Sequence, residues 1–133
     1  MQKYKIMIVE DNPDVRELIR TALANQEYVI SLAENGKEAI EQLPLFSPDV
    51  MVLDIVMPVM NGWEVLEFLL NDPLYAKTKV LVASSLWLTP SMFTSRGLPP
   101  DTPVLSKPFR IADLRSTVRN LLEEKPISNA MAA

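Results

Sequence analysis

Short apolar runs alternate with amphipathic stretches along the chain, and this order predicts an α/β fold. The apolar runs lie at residues 5–9, 28–32, 50–53, 80–83 and 104–105. In most of the segments that follow these runs, apolar residues recur every three or four positions, which indicates helices. Because each run is continuous rather than alternating, both faces of each strand are predicted to be buried, as in a parallel sheet covered by helices. About five such units predict a doubly wound sheet with helices on both faces.

Capping residues mark where the predicted helices begin and end. Asn12 or Asp11 is suited to cap the first helix, and Pro13 fits its first turn. Asn61 is suited to cap the third helix, which Asp72-Pro73 closes. These signals place the first helix between the first two predicted strands and the third helix between the third and fourth.

Prolines interrupt the pattern in two regions of the chain. Pro44 and Pro48 are predicted to lie in the loop after a short second helix. Residues 86–103 contain four prolines and no clean helical period, so only an irregular fourth helix, around residues 91–95, is predicted there. The last helix is predicted to end before Pro126.

Composition narrows the chemistry that the chain can carry. A length of 133 residues fits one domain, and the net charge of −4 argues against a nucleic-acid-binding surface. The absence of cysteine excludes disulfides and thiol chemistry, and the absence of histidine removes the commonest general base and transition-metal ligand. Candidate chemistry is therefore sought among carboxylates, hydroxyls and lysines.

The chain is predicted to form one domain over residues 1–124, followed by a disordered tail or linker over residues 125–133. No apolar run approaches the roughly 18 residues that span a bilayer. Charged residues interrupt the apolar N-terminus, MQKYKIMIVEDN, which is therefore not expected to be a signal peptide. The sequence thus predicts a cytoplasmic protein with no membrane or nucleic-acid partner.

Polar side chains follow the predicted strands at the points where the strands end. Glu10-Asp11 follows the first strand, Asp54 the third, Ser84 the fourth and Ser106-Lys107 the fifth. In an open α/β sheet, ligands bind outside the carboxyl ends of the strands. Three acids, a hydroxyl and a lysine are therefore predicted to converge at one edge of the sheet.

Three carboxylates at one site repel one another unless a cation compensates their charge. Mg²⁺ fits this role best because it accepts a few carboxylates and completes its shell with water. The lysine, Lys107, then indicates that a second anion arrives, such as a phosphoryl group. In that case Asp54 is the candidate nucleophile, Ser84 donates a hydrogen bond to a phosphoryl oxygen, and the metal and Lys107 neutralise charge in the transition state.

Each of these residues also has an ordinary explanation when it is taken alone. An acid such as Asp54 after a strand is usually a turn residue, and Glu10-Asp11 before Asn-Pro is compatible with a helix cap. Ser84 is compatible with loop polarity, and Lys107 with a solvated surface lysine. Their positions at the ends of four strands of one sheet favour the functional interpretation.

Four stretches of the sequence carry a family resemblance. They read IVEDNPDVRELI at 8–19, LDIVMPVMNGWEVL at 53–66, VLVASS at 80–85 and KPF at 107–109. Together they resemble the receiver domain of two-component response regulators, over the chain from Lys5 to about Leu122. The resemblance implies a flavodoxin-like, chemotaxis-regulator-like fold whose five parallel strands take the order 2-1-3-4-5.

The same resemblance implies a role for each residue of the predicted site. Asp54 would be the phosphoacceptor, Ser84 would take the position of the family's switch hydroxyl, and Lys107 would contact the phosphoryl group. The residues implied to hold Mg²⁺ are Asp11, Asp54, the backbone carbonyl of Val56, and Glu10, which acts mostly through metal-bound water. The peptide bond between Lys107 and Pro108 is implied to be cis.

One position departs from the family pattern. The family usually has Tyr or Phe three residues before the lysine, and this chain has Val104 there. In the family, the output surface is formed by the fourth helix, the fifth strand and the fifth helix. That surface is therefore expected to be atypical in this chain.

The function that the resemblance implies is a phosphorylation-controlled signalling switch. A phosphohistidine on a sensor histidine kinase or a histidine phosphotransfer protein would donate the phosphoryl group, and a downstream protein would read the result. No turnover of a small-molecule substrate is expected. Two alternatives stay open: a phosphate-independent protein-binding module of the same fold, and a phosphotransferase enzyme with an α/β fold.

Overall fold

Five parallel strands form a single sheet in the order β2-β1-β3-β4-β5. The computed structural model describes residues 3–124. The strands are β1 Tyr4–Val9, β2 Tyr28–Ala33, β3 Val50–Leu53, β4 Lys79–Ser84 and β5 Val104–Ser106. The α/β class, the parallel pairing and the strand order are all confirmed.

Helices connect the strands and cover both faces of the sheet. They are α1 Pro13–Leu23, α2 Gly36–Phe46, α3 Gly62–Asn71, α4 Pro90–Thr94 and α5 Ile111–Glu123, with a short 3₁₀ helix at Pro73–Tyr75 after α3. The predicted caps are confirmed for two of them. The Asn12 side chain accepts hydrogen bonds from the first turn of α1, and Asn61 forms a reciprocal capping box with Glu64 at the start of α3.

The continuous apolar strands supply two separate cores. Along β1, Ile6 and Ile8 face the layer of α1 and α5, while Met7 and Val9 face the layer of α2 and α3. All four of these side chains are buried. A strand with a single apolar face could not fill both layers, so the run of apolar residues is what places β1 at the centre of the sheet.

Pro44 lies inside α2, so the prediction that the second helix ends before it was wrong. The proline lacks an N–H and removes one hydrogen bond, yet the helix continues for a further two residues. Leu43 is fully buried, and its carbonyl accepts the Ser47 N–H at 2.9 Å. The helix then stops because Ser47 adopts a left-handed conformation, with φ of 49°.

The proline-rich region forms a short helix, as the sequence predicts. Helix α4 has five residues, Pro90–Thr94, and one of them, Phe93, is buried in the core. The peptide bond between Lys107 and Pro108 is cis, as the resemblance implies. The predicted tail at 125–133 lies outside the described residues, and within residues 3–124 no helix is long and apolar enough to cross a bilayer.

Candidate functional site

The backbone brings the predicted site residues to one edge of the sheet. Glu10 directly follows β1, and Asp54 directly follows β3, whose end is joined to β1 by a 3.0 Å hydrogen bond from the Asp54 N–H to the Val9 carbonyl. Ser84 is the last residue of β4, and its carbonyl accepts the Lys107 N–H at 2.9 Å. The strand ends are thus tied together by hydrogen bonds that follow from the parallel sheet.

Three carboxylates converge at this edge. Oxygen atoms of Glu10, Asp11 and Asp54 all lie within 4.8 Å of one another. Glu10 is 2% exposed and Asp54 is 6% exposed, whereas Asp11 is open to solvent. The site therefore has two acids in its floor and one at its mouth, an arrangement of oxygen donors that fits a hard cation entering from water.

Lys107 supplies the positive charge nearest to the two buried acids. Its Nζ lies 2.5 Å from Glu10 Oε1 and 3.6 Å from Asp54 Oδ2. The closer contact is with Glu10, which the sequence did not predict. One ammonium group between two carboxylates leaves the cluster negative overall, even before the exposed Asp11 is counted.

Burial raises the pKa of both floor carboxyls. For Asp54, loss of hydration raises the pKa, while the charge of Lys107 and the Val56 N–H oppose the rise. For Glu10, burial is again the main cause, the hydrogen bond from Lys107 opposes it, and the charge of Asp54 adds to it. The protein alone thus compensates these charges incompletely, so the site favours a further cation.

Backbone N–H groups fix the acceptor side chains. The Val56 N–H donates to Asp54 Oδ1 at 3.3 Å, and the Leu86 N–H donates to Ser84 Oγ at 3.1 Å. Ser84 is fully buried, so its hydroxyl oxygen has a defined position. Each donor lies two residues beyond the residue it holds, so the loops after β3 and β4 set the orientation of both side chains.

Gly62 lies directly beneath the Asp54 backbone. Its N–H donates to the Ile55 carbonyl at 2.8 Å, which joins the start of α3 to the loop after β3. A Cβ atom at Gly62 would lie 2.4 Å from the Asp54 carbonyl oxygen and 2.7 Å from Ile55 Cα. The glycine is therefore required by close approach of two backbone segments rather than by an unusual φ angle.

Two contacts to Glu10 were missed by reasoning from the sequence. The Arg16 guanidinium donates to the Glu10 backbone carbonyl at 2.8 Å, and the Asn12 N–H donates to Glu10 Oε2 at 3.2 Å. Both residues follow the acid pair closely in sequence. Nothing in the residue pattern distinguishes Arg16 from the other charged residues of α1, whereas Asn12 could have been found as the helix cap.

Comparison of the sequence with models of known protein families identifies the family of this chain. The profile described as "Response regulator receiver domain" matches residues 6–119. The chain belongs to this family. It is a receiver domain, the phosphoacceptor switch module of two-component systems.

Individual relatives agree with this assignment. The receiver domain is 28% identical to the transcriptional regulatory protein TrcR of Mycobacterium tuberculosis, over 96% of this chain and 50% of that protein. It is 31% identical to the sensor histidine kinase TmoS of Ectopseudomonas mendocina, over 96% of this chain and 13% of that protein. The chain thus spans half or less of the length of these curated relatives.

Solved structures show the same fold. The chemotaxis protein CheY4 of Vibrio cholerae superposes with a TM-score of 0.79 at 25% identity, over 90% of this receiver domain and 99% of that chain. Receiver domains typically bind Mg²⁺ at an acidic pocket, and Glu10, Asp11 and Asp54 form such a cluster here. Membership of the family also implies interaction with a histidine kinase or a phosphotransfer protein.

Proposed function

We propose that Asp54 accepts a phosphoryl group from a phosphohistidine of a sensor histidine kinase or histidine phosphotransfer protein, in a reaction that requires Mg²⁺. The observation that carries this proposal is the position of Asp54 between two other carboxylates and the Lys107 ammonium at one open edge of the sheet. A turn residue would need none of these neighbours.

The metal would be held by the carboxylates of Asp11 and Asp54 and the backbone carbonyl of Val56, with Glu10 acting through water. Three convergent carboxylates and an opening to solvent at Asp11 suit an ion that keeps several water ligands. Mg²⁺, when bound, supplies positive charge that offsets these acids and the phosphoryl oxygens. The remaining chemistry belongs to side chains of this chain.

Asp54 would act as the nucleophile. Its carboxylate attacks the phosphorus atom, the new O–P bond forms as the P–N bond of the phosphohistidine breaks, and the imidazole nitrogen retains the electron pair of that bond. The product is an aspartyl phosphate. Because the Val56 N–H holds one carboxylate oxygen, the attacking group is already oriented before the donor arrives.

Ser84 and Lys107 would bind the transferred group. The Ser84 oxygen accepts the Leu86 N–H and keeps its own hydrogen for donation to a phosphoryl oxygen. Lys107 already lies 3.6 Å from Asp54, close enough to stabilise the charge that develops on the phosphoryl oxygens. A phosphate-independent binding module would give no role to this set of side chains.

Mass spectrometry tests the proposal directly. Incubation with Mg²⁺ and acetyl phosphate or phosphoramidate is expected to add the mass of one phosphoryl group to the wild type and none to Asp54→Asn. The matched control is Asp101→Asn, an exposed acid in a turn away from the site, which should be phosphorylated like the wild type. A mass gain that survives Asp54→Asn would refute the assignment.

Magnesium is expected to stabilise the fold through the acid cluster. At a concentration ten times its Kd, a ligand that binds only the folded state adds about 1.4 kcal/mol to the free energy of unfolding. Thermal melts with and without Mg²⁺ measure this shift, which Asp11→Ala should remove. Asp14→Ala, three residues further along, should retain it, and a full shift in Asp11→Ala would contradict the metal assignment.

The aspartyl phosphate is expected to hydrolyse slowly. Val56 and Leu86 are both apolar and exposed, and they lie two residues beyond Asp54 and Ser84, where they would impede the hydrolytic water. Val56→Asn should shorten the lifetime of the phosphorylated protein several-fold because an amide can orient that water. Val59→Asn in the same loop is the control, and an unchanged lifetime in Val56→Asn would rule out this explanation.

A further inference from the structure

A cleft of about 600 Å³ lies at the end of the sheet opposite the acidic site. It is formed by parts of residues 66–80, 98–103 and 121–124, and we call it the β4 cleft. Lys79 begins β4 and lines the cleft, whereas Ser84 ends that strand at the acidic site. At roughly 3.3 Å per residue, the two places are about 16 Å apart along the strand. The carboxylates, hydroxyl and ammonium of the acidic site do not line the cleft.

The cleft exists because α4 is too short to cover its part of the sheet. Helix α4 has five residues and is about 7.5 Å long, whereas α3 has ten residues and is about 15 Å long. The chain returns to β5 through a proline-rich loop rather than through further helical turns. The part of this layer nearest the start of β4 is therefore left open.

The walls of the cleft are fixed by the core of the protein. In the loop before β5, the Leu98 N–H donates to the Phe93 carbonyl at 2.9 Å, and the Pro103 carbonyl accepts the Val82 N–H at 2.9 Å. Leu98 itself is buried, as is Tyr75 in the 3₁₀ helix that forms another part of the lining. A ligand therefore does not have to order these walls when it binds.

The lining combines apolar surface with an excess of carboxylates. Leucines of α3, prolines of the loop before β5 and Tyr75 supply the apolar part. The acids are Asp72, Asp101 and Glu124, and Lys79 supplies an ammonium group that pairs with Glu124 at 3.1 Å. Among the described residues that line the cleft, no second cation compensates Asp72 and Asp101. The cleft therefore favours a ligand that brings positive charge together with apolar surface.

We propose that the β4 cleft binds a small organic cation with an aromatic or branched apolar body and an amine. Its volume lies within the roughly 300–1,000 Å³ that is usual for small-molecule sites. The apolar body fills the space beside the leucines and prolines, and the ammonium pairs with the carboxylates. Binding is independent of the metal and of the phosphoryl group, because the acidic site lies at the other end of β4.

A matched pair of probes tests the proposal. Tryptamine and indole-3-propionate carry the same ring on a short chain, and at neutral pH the first is a cation and the second an anion. Titration of the full chain is followed by ¹H–¹⁵N spectra in EDTA without a phosphoryl donor. Tryptamine should cause saturable shifts at Leu70, Leu98 and Thr102, which line the cleft. Indole-3-propionate should bind about tenfold more weakly, because the carboxylates repel it.

The same titration distinguishes other occupants and other sites. Shifts confined to Asp11 and its neighbours would place the cation in the acidic site and overturn the proposal. Equal affinity for the two probes would indicate an apolar docking face for a protein, and shifts that follow protein concentration alone would indicate a second copy; either result contradicts the proposal. Asp54→Asn should bind tryptamine like the wild type, so this result does not depend on phosphoryl transfer.

Reversal of one charge tests the role of the carboxylates. Asp101→Lys changes an exposed residue of the lining, and it should weaken tryptamine binding and strengthen indole-3-propionate binding several-fold. Glu41→Lys makes the same change in net charge at an exposed position of α2, which does not line the cleft, and it should keep the wild-type preference. An equal change in both variants would show that the preference follows the net charge of the chain, and would overturn the assignment to the cleft.

Discussion

Replacing Asp54 with asparagine is expected to give a protein that accepts no phosphoryl group and is more stable than the wild type in metal-free buffer. The two effects have the same origin. Asp54 is 6% exposed and lies beside Glu10 and Asp11, so its negative charge is costly in the folded state. Removing that charge should raise the free energy of unfolding near neutral pH by about 1–3 kcal/mol, the usual cost of burying an incompletely compensated group.

The pH dependence identifies the cause of this gain. Burial raises the pKa of Asp54 in the folded state above its ordinary value of 3.8, so the folded protein holds that proton more tightly than the unfolded chain. The stabilisation that comes from this tighter proton binding is fully present at pH values below the ordinary pKa of an aspartate. It is lost as the pH rises through the raised pKa of the folded protein. The free energy of unfolding of Asp54→Asn should therefore be closest to that of the wild type at low pH and should exceed it most at neutral pH.

Denaturant unfolding in EDTA across this pH range measures the difference. Asp101→Asn, which removes an exposed acid, should follow the wild-type curve. Addition of Mg²⁺ should narrow the gap between Asp54→Asn and the wild type, because only the wild type has the complete acid set. A variant that is less stable than the wild type at neutral pH would show that Asp54 contributes more by its contacts than it costs by its charge.

Gly62→Ala is expected to destabilise the fold by about 3 kcal/mol, at the upper end of the usual range for overpacking. The new Cβ would lie 2.4 Å from the Asp54 carbonyl oxygen and 2.7 Å from Ile55 Cα, both backbone atoms. Neither can move without shifting Asp54, the proposed phosphoacceptor. The same variant should therefore be phosphorylated more slowly at temperatures where it is still folded.

Gly97→Ala provides the comparison for this clash. Gly97 has a φ of 74° and no neighbouring atom within 4 Å of an added Cβ, so its substitution costs only the left-handed backbone conformation, about 1–2 kcal/mol. Denaturant unfolding compares the two variants. Equal losses would show that the close approach at Gly62 is relieved by small backbone shifts, and that the glycine is not essential there.

The strands could be predicted from the sequence because each one is a short, uninterrupted apolar run. Residues 50–53 illustrate the point: all four are buried, and the observed strand has the predicted bounds. The end of α2 was predicted wrongly because a local signal in the sequence conflicts with packing in the folded protein. Pro44 is a strong local signal for a helix end, but the buried Leu43 keeps the helix packed on the sheet, and tertiary packing outweighs local preference.

The site was predictable in outline because parallel strands all end at the same edge. That rule places Glu10, Asp54, Ser84 and Lys107 together whatever the intervening residues are. It says nothing about which carboxylate the lysine contacts, since that depends on side-chain reach and burial. The preference of Lys107 for Glu10 over Asp54, and the support of Glu10 by Arg16, therefore emerged only from the structure.

The hydrogen bond from the Leu86 N–H to the Ser84 hydroxyl joins the acidic site to the exposed loop after β4, which carries Trp87. A change in the position of that hydroxyl alters the loop that carries Trp87, and a molecule held on the loop restrains the hydroxyl. Such coupling is reciprocal, with the same free energy in both directions. Whatever contacts the exposed loop after β4 is therefore expected to change how readily the Ser84 hydroxyl meets a phosphoryl oxygen, by the same free energy with which that oxygen changes the loop.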